Sequence, residues 1–175
     1  MQFTFTHNAA GILPFVLTTT QYIIDEYIGN RGDKEQLLSR CKFIITELCT
    51  NGIKHSGRQE SVFIITTHNG NLIIERQDNG TPLKVTGNDS EIQVPLAEEI
   101  DIITVMEDDI NCLRMQKLHE YSVKFYTQPK DPMLQVPPTL NEHFGLVIIC
   151  LSADSFIYVH NSATGANTFT ATINL

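Results

Sequence analysis

The chain has 175 residues, enough for one domain with a substantial core and short for two. Charged residues make up 18% and hydrophobic residues 42%, which excludes a wholly disordered chain. The net charge is −8 and the few Lys and Arg are scattered, which speaks against a nucleic-acid backbone or an anionic membrane as partner. Met1 to His7 has neither the basic nor the apolar region of a signal peptide, and no apolar run approaches a membrane span, so the expected location is the cytoplasm. Cys41, Cys49, Cys112 and Cys150 form no CxxC pair and are expected as reduced core residues.

In chain order, residues 1–7 alternate as a strand, with Phe3 and Phe5 on one side. Asn8 to Pro14 reads as a turn. A helix is predicted over 15–28, where Val16, Thr20, Ile23 and Tyr27 recur at helical spacing. Gly29 to Asp33 ends it, and Asp33 is a candidate cap for a second helix over 34–55. Leu37, Leu38, Cys41, Ile44, Ile45, Leu48 and Cys49 form the buried stripe of that helix, while Arg40, Glu47, Asn51 and Lys54 share another. Gly57 stops it.

Strands are predicted at 61–67 and 72–77, joined by the hairpin signal Asn69-Gly70, and the second runs into the turn Asp78-Asn79-Gly80-Thr81-Pro82. Residues 84–140 give no clear pattern. They hold an acidic stretch, Glu98 to Asp109, expected as a solvated face, and a Pro-rich loop at 129–138. A short helix follows from Phe144 to Leu151, and 155–160 and 167–174 form a last hairpin. Hairpins mixed with helices predict an α/β two-layer sandwich, rather than the doubly wound sheet of βαβ alternation.

Three places carry chemistry. Glu47 and Asn51 are i and i+4 and share a helix face. An Asn carbonyl suits Mg²⁺, which takes only one or two protein oxygens, and a nearby Glu can orient or deprotonate a nucleophile. Asp78 at a strand end can accept from an exocyclic amine, and Gly80 permits close approach. Phe144-Gly145-Leu146 opens a helix whose N–H groups suit phosphate. Each also has an ordinary reading: a solvated helix face, a plain β-turn and a loop glycine.

Taken together, these residues resemble a known family. Glu47-Leu48-Cys49-Thr50-Asn51-Gly52-Ile53-Lys54-His55 is similar to the N-box of the GHKL ATPases, the superfamily of gyrase, histidine kinases and MutL-type repair proteins. Within it, the pattern resembles the anti-sigma-factor serine kinase branch. Asp78-Asn79-Gly80-Thr81-Pro82 resembles the first glycine box, Gly145-Leu146 the remnant of the second, and Thr168 to Ile173 the last strand.

The resemblance implies a single histidine kinase-like ATPase domain over 1–175 with a Bergerat-type ATP-binding fold, a mixed, largely antiparallel sheet with helices on one face. It implies ATP and Mg²⁺ as cofactors, Asn51 as the metal ligand and Glu47 as the catalytic base. Lys54, His55 and Gly145 would lie near the phosphates, Asp78 would read the adenine amine, and Gly80 would make room for the ring. The partner would be a sigma factor or a small antagonist protein, with a homodimer left open. Alternatives are a non-catalytic interaction module of the same fold and the catalytic half of a split sensor kinase. The sequence departs from the family at His143, where a first glycine is usual, at Ala166-Asn167 in place of Gly-Thr, and in the length of 84–140, expected to hold an enlarged lid or insertion.

Overall fold

The computed structural model describes residues 1–87, 90–97, 101–107, 110–129 and 144–175. β1 (Gln2–Thr6) is followed by a single 3-10 turn and then α1 (Ile12–Ile23), which ends in a π-helical turn at Ile24–Ile28. α1 therefore begins before Phe15, inside the stretch read as a turn. Pro14 lies in its first turn, where a missing N–H leaves no helical bond unmade. The 3-10 turn is capped by Asn8, whose Oδ1 accepts from Gly11 N at 2.9 Å.

α2 (Lys34–His55) has the expected span, and its stripe from Leu37 to Cys49 is buried except for Leu38, which is half-buried. Asp33 stands at its start but makes no capping bond, because its carboxylate is taken by Arg31 Nε at 3.0 Å. Gly57, with φ of 64°, supplies the left-handed residue that ends the helix.

β2 (Glu60–His68) and β3 (Asn71–Asp78) form a hairpin through Asn69 and Gly70, both at positive φ, as a two-residue turn requires. β4 (Lys84–Gly87) and β5 (Ser90–Gln93) make a separate small hairpin. β6 (Ile102–Glu107), β7 (Asn111–His119) and β8 (Ser122–Pro129) form a meander. After α3 (Phe144–Ser152), β9 (Ser155–Asn161) and β10 (Ala166–Asn174) close the chain.

Eight strands join in one sheet of order β1-β2-β3-β10-β9-β8-β7-β6. Every neighbouring pair is antiparallel, so the expected mixed sheet is corrected to a wholly antiparallel one among the described residues. Short turns between sequential strands, as in β2–β3, β7–β8 and β9–β10, impose this direction. The expected insertion at 84–140 thus contributes three strands of the main sheet. The acidic stretch expected as a solvated face is in part the edge strand β6, in which Ile103, Val105 and Met106 are buried. The Pro-rich loop falls almost wholly outside the described residues.

Burial alternates along β2, β3 and β10, leaving one face half-exposed and burying the other. Phe63, Ile74, Phe156 and Ala171 on the buried face share one core with Ile44, Ile45 and Leu48 of α2 and Ile149 of α3. All four cysteines are free; Cys41, Cys49 and Cys112 are buried and Cys150 is half-buried. No helix among the described residues is long and apolar enough to cross a membrane.

Candidate functional site

α2 and α3 bring the first group together. Arg40 near the start of α2 donates to Ser152 O and Asp154 Oδ2, both at 2.7 Å, at the far end of α3. The helices therefore run antiparallel, and the start of α3 meets the later turns of α2. A Cβ at Gly145 would lie 2.6 Å from Glu47 Oε2 and 3.5 Å from Asn51 Oδ1. Glu47 and Asn51 thus converge with Gly145, which lies far from both in the sequence. Both side chains are half-buried. Burial raises the Glu47 carboxyl above its ordinary value, and the charge of Lys54 opposes that shift.

Asp78 forms the second group with partners the sequence reading had not joined to it. Its side chain is 1% exposed, and its Oδ2 accepts from Arg76 Nη2 at 2.8 Å. Its Oδ1 accepts from Gly80 N at 2.9 Å and Asn167 Nδ2 at 3.0 Å. Asn167 also donates to Gly80 O and Thr81 O, both at 3.1 Å. Its Oδ1 accepts from Tyr158 OH at 2.7 Å and bonds His160 Nδ1 at 2.9 Å. Burial pushes the Tyr158 phenol up to about 12, so it remains a donor to Asn167 while accepting from Leu83 N. The loop from Asp78 to Leu83 is held along its length.

Arg76 is the site residue that sequence reasoning missed. It is buried, lies 4.2 Å from the centre of the Phe169 ring and donates to Leu48 O at 2.8 Å. Burial pulls its pKa down and Asp78 pulls it back; a guanidinium keeps its charge at neutral pH. The available signal was alternation: Leu72, Ile74, Arg76 and Asp78 all fall on the inward side of β3.

Gly80 fits closely, but against protein. A Cβ there would come 2.0 Å from the carbonyl oxygen of Ser56 at the end of α2. Lys54 and His55 are exposed in the last turn of α2. Together with Asp78, Asn167 and Lys84 they border a cavity of about 340 Å³ under the β4–β5 hairpin. A smaller cavity of about 70 Å³ lies between Asn51, Arg76, Val85 and Leu146. The sequence-predicted residues thus occupy one region, Glu47, Asn51 and Gly145 at one end and Asp78 and Gly80 at the other.

Among the described residues there is no cluster of three or more His, Cys, Asp or Glu. Glu47 and Asn51 offer oxygen atoms beside Gly145, a donor type that suits Mg²⁺, which takes few protein ligands, rather than the nitrogen and sulfur set of a zinc site. His119 and Glu120 are exposed at the end of β7, while Glu142 and His143 lie outside the described residues. Outside the site, His7 bonds Arg58 O at 2.8 Å and Ser56 Oγ at 3.0 Å, tying β1 to the end of α2.

No protein-family model matches the chain, and none of the curated proteins matches its sequence.

Proposed function

We propose that this chain is a cytoplasmic regulatory protein that binds a nucleoside triphosphate with Mg²⁺ on a Bergerat-type fold, in the manner of the anti-sigma-factor serine kinases it resembles. The observation that carries this reading is the meeting of Glu47, Asn51 and Gly145, where the absent side chain of glycine leaves space beside the two polar side chains. Asn51 would hold Mg²⁺, and Glu47 would orient or deprotonate the phosphate acceptor. Its raised pKa agrees with a group used as a base. Phosphates would sit against the first-turn N–H groups of α3, within the field of Lys54 and Lys84. A cavity of about 340 Å³ is of the size that small-molecule sites have. The bound nucleotide, ATP by resemblance, would control contact with a sigma factor or a small antagonist protein. Calorimetry of the whole chain with Mg²⁺ and ATP or ITP tests this: binding at or below millimolar nucleotide is expected, and no heat with either removes the reading.

A second reading, a non-catalytic interaction module that kept the fold, is favoured by one observation. Asp78, the residue that would hold adenine, is committed to Arg76, Gly80 and Asn167. Transfer of labelled phosphate to any partner protein, lost in Glu47→Ala, would count against it.

A further inference from the structure

We infer that Arg76 is a positioning residue for base recognition: it holds the one oxygen of Asp78 that still has a lone pair to offer, and so aims that lone pair at the 6-amino group of the base. The inference rests on the nucleotide reading and adds to it a residue that never meets the ligand.

A carboxylate has about four acceptor positions, two on each oxygen. Both positions on Asp78 Oδ1 are filled, by Gly80 N and Asn167 Nδ2. Among the described residues Oδ2 accepts only from Arg76 Nη2, at 2.8 Å. The acceptor position left on this floor carboxylate, which borders the larger cavity, is therefore on the oxygen that Arg76 holds. A base amine bound there would share Oδ2 with the guanidinium, and the direction of the remaining lone pair follows from where Arg76 stands.

Arg76 is in turn fixed from two other sides. Its Nη1 donates to Leu48 O, and Leu48 follows Glu47 directly on α2. Gly52 leaves room for that reach, since a Cβ there would lie 3.3 Å from Nη1. Phe169, its neighbour on β10, sets its ring 4.2 Å from the guanidinium and constrains the plane of the fork. One buried side chain thus ties the carboxylate at the base end to the turn of α2 that carries Glu47 and Asn51. A ligand spanning both ends needs that spacing kept.

The probes are ATP and purine riboside triphosphate, which has hydrogen in place of the 6-amino group. Each is titrated calorimetrically, with Mg²⁺, into the whole chain. Wild type is expected to prefer ATP about tenfold or more, the scale of a hydrogen bond to a charged acceptor. Arg76→Met is expected to bring the ratio to about one by weakening ATP alone, whereas a merely structural role would weaken both nucleotides equally. Arg76→Lys keeps a cation beside Asp78 without the planar fork and is expected to give an intermediate ratio. Circular dichroism checks folding, and if Arg76→Met does not fold, Arg76→Lys decides. In the deciding variant, a ratio unchanged or raised, or an equal loss for both nucleotides, overturns the inference. Equal binding of the two by wild type also overturns it and leaves the nucleotide reading standing. No heat with either nucleotide in wild type overturns both.

Discussion

The two ends of the site are built on opposite principles. At the Asp78 end every carboxylate oxygen is used internally, the side chains are almost fully buried, and the backbone packs so closely that Gly80 faces the Ser56 carbonyl. At the Glu47 end the carboxylate is half-buried, held partly out of water, and no carboxylate–cation pair as close as that of Arg76 and Asp78 is found there among the described residues. The first arrangement stores stability and the second leaves binding capacity unspent. Polar groups at the closed end hold the loop in place, while Glu47 and Asn51 at the open end stay half-exposed.

Substitutions at the two ends should therefore differ in kind. The largest effect is expected for Asp78→Ala, which leaves Arg76 as a buried charge without its partner and should cost about 3–5 kcal/mol in urea unfolding. The double variant Arg76→Leu/Asp78→Asn should recover much of that loss; a single-variant loss below about 1 kcal/mol would show that the pair is not the anchor of the floor. Next is Gly80→Ala, where the obstacle is backbone. It should destabilise by about 3 kcal/mol or more, measured in the same way.

Gly145→Ala should behave oppositely. The obstacle is the end of the flexible Glu47 side chain, so stability should stay within about 1 kcal/mol of wild type. Nucleotide affinity should fall about tenfold or more, because the methyl group occupies the space where the ligand would meet Glu47 and Asn51. Equal losses of stability at positions 80 and 145 would abolish the contrast between the ends.

The smallest effect is expected for Glu47→Gln. Burial raises the carboxyl pKa in the folded state, so the folded protein holds that proton more tightly than the unfolded chain. The stability linked to Glu47 is then present below the unfolded value and lost as pH rises through the folded value. Glu47→Gln should raise the melting temperature slightly at neutral pH, and the gain should vanish in acid. A melting temperature that falls at neutral pH would mean that Glu47 has a stabilising partner.

The sequence made the α2 end of the site legible because one helical stripe carries both Glu47 and Asn51 while the other carries the core. It made β2, β3 and β10 legible because their burial alternates strictly. Ile102 to Met106 was obscured by the acids around a short β-branched run, and β7 mixes Arg114, Gln116 and Lys117 into its alternation. The convergence of Gly145 with Glu47 was implied by the family resemblance alone, since residue by residue it depends on how α3 returns across α2. Arg76 escaped because a lone arginine in a strand is ordinarily a surface residue, and only the pairing with Asp78 and Phe169 makes its burial tolerable.

The most direct test of a ligand held between Glu47, Asn51 and Gly145 is a calorimetric titration of nucleoside triphosphate into wild type and Asn51→Ala, with and without Mg²⁺. Binding that requires Mg²⁺ in the wild type and weakens at least tenfold in Asn51→Ala is the expected result. Affinity unchanged by both the substitution and the removal of Mg²⁺ would contradict it.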